Sequence, residues 1–264
     1  MIKRHRTYGF TIIELLAAVA ILGILVAMMG KVFADASKAW KLGTESATDS
    51  ATGRAIMDLI VRDLSAGVAD DLLGFRVNSS FNTIYDGFDT DAVWFVTFND
   101  EPNLTTSGSR SARQVQYYIR ESTATSSPDP NALPSTYRLM RATKTATADA
   151  YVNYQFWGNI SSVMGSAVML AENVADFSVL AYDENGGLIP DYDSSDPAIS
   201  SSYHKAPAWV DVYLLMLGPD HAKRAALLSE AGQESEAREY VNRNGHGYAT
   251  RVYMRNRQGY VGRP

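Results

Sequence analysis

The sequence predicts an α+β protein, with a long N-terminal hydrophobic helix packed on a C-terminal domain of antiparallel β-sheet. Three observations point to it. Residues 10–29 form an apolar run with a single charge. Residues 32–66 contain no proline and repeat apolar or small residues every three or four positions. From residue 72 onward, short β-branched and aromatic runs alternate with turn residues. A chain of 264 residues at 46% apolar content can bury one sizeable core. With 20% charged and 11% aromatic residues, its composition is not that of a disordered tail. The absence of cysteine excludes disulfides, thiolate metal sites and cysteine nucleophiles together.

The first element is a basic leader, MIKRHRTYG, at positions 1–9. It holds Lys3, Arg4 and Arg6, three of the 24 basic residues; the other 21 face 29 acidic residues, a net charge of −8. The run FTIIELLAAVAILGILVAMM follows at 10–29. Twenty helical residues at 1.5 Å each span about 30 Å, the thickness of a bilayer's hydrocarbon core. Basic residues ahead of the run predict a cytoplasmic N-terminus and an exported C-terminus. A secretory signal peptide has a shorter apolar region closed by a small-residue cleavage site, and none closes this one. A plain anchor leaves Glu14 unexplained, because a carboxylate inside a membrane helix is costly and marks function by default. Its best partner is a free α-amino group at Phe10, or at a neighbour's equivalent. That group exists only if the chain is cut between Gly9 and Phe10.

Gly9-Phe10-Thr11-Ile12-Ile13-Glu14-Leu15-Leu16, with its basic leader and apolar run, resembles the class III signal of type IV prepilins and type II secretion pseudopilins. The resemblance covers roughly the first 30 residues. It implies that a prepilin peptidase cuts after Gly9 and methylates Phe10. It also implies that Glu14, fifth in the cut chain, guides assembly with other pilin or pseudopilin subunits. The implied place is the bacterial inner membrane, as a single pass against its lipid. The N-terminus would be cytoplasmic and the C-terminal domain periplasmic, before transfer into a filament.

The helix is expected to continue past the membrane, since Phe33, Ala36, Trp40, Ala47, Ala51, Met57, Ile60, Leu64 and Val68 form an amphipathic stripe. One helix from Phe10 to about Ala66 is roughly 85 Å long. Gly43 and Gly53 are its weak points, each costing about 1 kcal/mol against alanine. A break or kink is expected near one of them. Residues 10–30 form the membrane or filament-core half and residues 31–66 the amphipathic half. Residues 67–264 form the β-rich domain.

In that domain Val93–Phe98 and Val115–Ile119 read as strands, with Tyr137–Met140 pairing back on the second. A Ser/Thr/Pro-rich stretch at 121–135 reads as a long hairpin connection. Ala167–Val174 and Phe177–Tyr182 read as two strands around a turn, and 183–187 as another turn. Trp209–Leu217 is the strongest strand and Tyr248–Met254 the last. Between these two, residues 220–241 are rich in Ala, Leu, Glu and Arg and read as one inserted helix after Pro219-Asp220.

The order of short motifs carries a second resemblance. Arg62-Asp63-Leu64 ends the helix, and Val115–Ile119, Leu139-Met140-Arg141, Leu170–Val174, Tyr182-Asp183 and Pro207 follow. This order is similar to the J-type minor pseudopilin of type II secretion and to W-type minor pilins. The inserted helix and long loops depart from that pattern.

No catalytic constellation is legible. His5, His204, His221 and His246 have no H-E-x-x-H spacing, and no nucleophile elbow, P-loop or dinucleotide fingerprint follows a strand. Two acidic sets are the candidate cation sites: Asp191, Asp193 and Asp196, and Asp86, Asp89 and Asp91. Calcium takes six to eight oxygen ligands, and alternating Asp can supply several. The alternative is two solvated acidic turns. Arg110, Arg113, Arg120, Arg138 and Arg141, with Arg251, Arg255, Arg257 and Arg263, either form a basic stripe or alternate on solvated strand faces. The acidic net charge favours alternation, so no nucleic acid is expected as partner. No small-molecule substrate is expected, and apart from calcium no cofactor. The function expected is structural. The first reading is a J-like minor pseudopilin near the tip of a type II secretion pseudopilus. The second is a minor type IV pilin serving adhesion, motility or DNA uptake. The third, of another class, is a membrane-anchored exported binding domain or enzyme.

Overall fold

The computed structural model describes residues 11–68, 74–85, 88–99, 111–122, 136–145, 167–194 and 206–254. Helix α1 runs from Ile12 to Ser65 without a break at Gly43 or Gly53. The chain divides into two compact units, Met1–Thr48 and Asp49–Pro264.

In the first unit none of the residues whose burial is described is buried: Ile12, Leu16, Val19, Leu22 and Val26 are all exposed. Candidate span Ile12–Lys41 is long and apolar enough to cross a membrane.

In the second unit Ile56, Ile60 and Leu64 recur every fourth residue, with Met57 beside them. That spacing sets them on one helix face, and all four are buried. Gly53 has the opposite role to the one expected. A Cβ there would run into the ring of Tyr248, so the missing side chain admits the aromatic ring beside the helix. The Tyr248 hydroxyl donates to the Asp49 carbonyl at 3.3 Å. Gly53→Ala raises helix propensity by about 1 kcal/mol. Displacing a packed ring costs about 1–3 kcal/mol. The variant should therefore unfold at lower urea concentration than wild type; a higher midpoint would contradict the packing.

Among the described residues ten strands form two antiparallel sheets. The first has six strands: β1 (Gly67–Val68), β2 (Arg76–Tyr85), β3 (Phe88–Asn99), β4 (Ser111–Ser122), β5 (Thr136–Thr145) and β6 (Ala167–Glu172). Their order is β1-β3-β4-β5-β6, with β2 also on β3. The second has order β10-β9-β7-β8, from β7 (Val174–Tyr182), β8 (Leu188–Ile189), β9 (Trp209–Met216) and β10 (His246–Tyr253). Alternation gives the six-stranded sheet two apolar faces. Val93, Phe95, Val115, Tyr117, Ile119 and Leu139 join the main core with α1 and the second sheet. Trp94, Tyr118, Met140 and two alanines form a separate cluster on the other face.

The expected strands are present, and β5 pairs with β4 with Met140 opposite Tyr118. The runs at 167–174 and 177–182 are two strands around a turn, as expected, and each pairs elsewhere. β6 pairs with β5, whereas β7 pairs with β9 in the other sheet. Asn173, at φ 57°, turns the chain between them, a conformation asparagine tolerates. The helix expected over 220–241 is two helices, α2 (Pro219–Glu230) and α3 (Glu234–Asn244). Gly232, at φ 73°, sits in the left-handed region that ends helices. Gln233 N–H bonds the Leu228 carbonyl and Gly232 N–H that of Ser229, both at 2.9 Å, the paired bonds of a Schellman stop. Most of residues 121–135 lie outside the described residues.

Candidate functional site

The N-terminal site is built on the first turn of α1. Thr11 precedes the helix and Glu14 is its third residue. Glu14 Oε2 accepts the Thr11 backbone N–H and the Thr11 hydroxyl, each at 3.0 Å. The Glu14 N–H returns a longer bond of 3.4 Å to Thr11 Oγ1. This is a capping box, the reciprocal arrangement that Thr-x-x-Glu encodes. It satisfies backbone donors that have no partner inside a helix, which matters most where the surroundings are hydrocarbon. The negative charge also lies at the positive end of the helix dipole. The Thr-x-x-Glu spacing was readable from sequence as a cap, in addition to its place in the assembly signal. Gly9 and Phe10 lie outside the described residues.

A second constellation joins helix to sheet at Asp63. Its Oδ2 accepts the Tyr117 hydroxyl at 2.6 Å and Arg141 Nε at 2.8 Å. Arg141 Nε also lies 3.2 Å from the Tyr117 oxygen. The Asp63 and Arg141 side chains are only 14% and 22% exposed, so the ion pair is largely withdrawn from water. Strand register explains the meeting, since Tyr117 and Arg141 are directly opposed on β4 and β5. Tyr117 in turn stacks on Phe95, and Phe95 on Phe75, which ties the polar group to the aromatic core. The sequence offers Arg62-Asp63-Leu64 as motif letters, and Arg141 both as a motif letter and among the arginines of the candidate basic stripe. The signal it lacked was the cross-strand pairing that places Tyr117 and Arg141 together.

Burial first, and then the Asp63 carboxylate beside it, push the Tyr117 phenol well above the usual tyrosine range. The folded pKa therefore exceeds the unfolded value of about 10. The stability linked to this group is full below that pH. It is lost as pH rises, because only the unfolded chain readily releases the proton. Tyr117→Phe should flatten the alkaline limb. Between about pH 9 and 11 its urea midpoint should fall less than that of wild type. Equal falls would contradict the assignment.

Asp191 and Asp193 of the first acidic set are bound to β2. Asp191 Oδ1 accepts the Ser79 N–H and hydroxyl at 2.8 and 2.7 Å. Asp193 pairs with Arg76 at 3.5 Å and bridges it along the backbone. Asp196 lies outside the described residues. In the other set Asp91 is buried in β3 rather than in a solvated turn, and accepts the Val179 N–H at 2.7 Å. Asp86 lies outside the described residues, as do His5 and His204. His221 Nδ1 is 2.8 Å from the Tyr240 hydroxyl, and His246 opens β10, exposed. Among the described residues no three His, Asp or Glu side chains gather as metal ligands. Arg138 pairs with Glu172 at 3.0 Å, and Arg251 pairs with Asp211 at 2.6 Å while lying over Trp209. Those arginines are engaged within the sheets. Arg110, Arg255, Arg257 and Arg263 lie outside the described residues.

Residues 4–30 match the family model described as the prokaryotic N-terminal methylation motif. The motif supports a precursor of the type IV pilin and pseudopilin kind, and with it a structural subunit assembling with others after prepilin peptidase processing. The N-terminal apolar helix and this motif fit a single-pass inner-membrane anchor. No curated protein and no solved structure matches the chain.

Proposed function

We propose that the chain is a minor pseudopilin, J-like, standing near the tip of a type II secretion pseudopilus. The observation that carries the reading is the methylation motif at 4–30. It heads a chain whose second unit, Asp49–Pro264, holds two sheets and a helical pair. Such a unit is bulky for the repeated body of a thin filament and suits an end. The subunit is cut after Gly9, methylated at Phe10, and passes from inner membrane to filament with its domain in the periplasm. Glu14 then faces the α-amino group of an adjacent subunit. The order of short motifs from Arg62-Asp63-Leu64 onward supports the J-like subtype. Gold labelling of the chain on isolated filaments tests the position. Label at one end supports it; label along the whole length contradicts it.

A further inference from the structure

We infer that Arg120, Arg138 and Tyr118 form a binding site for a carboxylate, on the face of the six-stranded sheet opposite α1. The inference does not depend on the filament reading. Strand alternation sets the site. Tyr118 and Arg120 lie two apart on β4 and so share a face. Arg138 on β5 stands directly opposite Arg120, as Met140 does opposite Tyr118. On the other side of Arg138 its partner is Glu172 of β6. Tyr118 and Met140 belong to the cluster on the face away from the main core, which places all three charged residues on that face too.

The row is short of negative charge. Like charges directly opposed destabilise a sheet. Glu172, 3.0 Å from Arg138, offsets only one of the two guanidinium groups. Among the described residues Arg120 has no acidic partner. Donors stand idle as well. Arg138 Nε and the Tyr118 hydroxyl are both buried without a hydrogen-bond partner, and Tyr118 is only 1% exposed. Native sheets rarely leave such groups unpaired. Burial lifts the Tyr118 phenol above the usual tyrosine range while Arg120 pulls it back, so the hydroxyl keeps its proton within the field of that guanidinium. The site is open to solvent, since Arg120 is exposed and the Arg138 and Glu172 side chains are half-exposed.

These features define the ligand. A guanidinium presents parallel N–H donors that match the two oxygens of a carboxylate. The Tyr118 O–H and Arg138 Nε–H suit its remaining lone pairs. Two arginines against one glutamate leave a single positive charge, which a monoanion balances. A phosphate group, nearer two negative charges at neutral pH, fits less well. The carboxylate comes either from a small free acid or from an acidic side chain of a partner protein.

Thermal unfolding of the full chain in detergent micelles is followed as sodium acetate replaces sodium chloride at constant ionic strength. The midpoint should rise with acetate. Arg120→Gln should need about tenfold more acetate, or beyond, for the same rise, because a charged hydrogen-bonding partner is lost. Tyr118→Phe should begin at or above the wild-type midpoint, its idle hydroxyl gone, yet need about fivefold more acetate. Lys223→Gln, an equal loss of charge on α2, should respond like wild type. No rise in the wild type would overturn the site, as would equal rises in the wild type and Arg120→Gln. A larger Arg120-dependent rise with inorganic phosphate than with acetate would overturn the carboxylate assignment. Glutamate blocked at both ends, used in place of acetate, identifies the source. An Arg120-dependent rise at lower concentration than acetate supports a partner's side chain; one at equal or higher concentration supports a free acid.

Discussion

Asp63→Ala is expected to lower the stability of the unit Asp49–Pro264 by about 3 kcal/mol, the cost of leaving one partner of a withdrawn ion pair alone. Two groups lose their acceptor at once, the Tyr117 hydroxyl and Arg141 Nε. Both come from the sheet, so the end of α1 loses its polar tie while Ile60 and Leu64 keep only their apolar contacts. Tyr117→Phe removes one hydrogen bond and should cost about 1 kcal/mol. Replacing Asp63 and Arg141 by leucine together with Tyr117→Phe should recover much of the loss, because no polar group is then left buried alone and an apolar set in such a place is often as stable as the ion pair. Urea unfolding of the three variants measures the set. Asp63→Ala within about 0.5 kcal/mol of wild type would show that the constellation is not holding the helix.

Glu14→Gln separates the two roles that meet at that residue. Glutamine retains an oxygen for the Thr11 N–H, so the cap survives. The negative charge does not. If Glu14 serves assembly through an adjacent α-amino group, leader removal should proceed normally and incorporation should fall about tenfold or more. If the cap were its whole contribution, the variant would assemble like wild type. The companion Thr11→Ala weakens the cap and leaves the charge, and should lower incorporation less than Glu14→Gln. The cut and assembled fractions of each variant, read by mass and by filament composition, decide between the roles.

Much of the architecture was legible because its signals are local. The apolar run, the proline-free stripe and the runs VWFVTF and VQYYI each declare their element within a few residues. β2 escaped notice because RVNSSFNTIY is polar over much of its length and its pairing with β3 shifts register twice. The split between α2 and α3 was written in Gly232, which the helix-forming neighbours outweighed. What no local pattern carries is partner choice between distant segments. Asn173 switches the chain from one sheet to the other, and Asp63 meets residues 54 and 78 positions away. Glycine was misread for the same reason. Gly53 is a weak point of an isolated helix but a point of contact once Tyr248 lies beside it. At the N-terminus, by contrast, the assembly signal is linear, and the same residues match the methylation motif.

The intact mass of the protein from its native membrane, with and without the prepilin peptidase, tests the central claim most directly. The account predicts a chain lacking residues 1–9 and carrying one added methyl group on Phe10, found only when the peptidase is present. A full-length, unmethylated chain in both backgrounds would contradict it and reduce residues 10–29 to a membrane anchor.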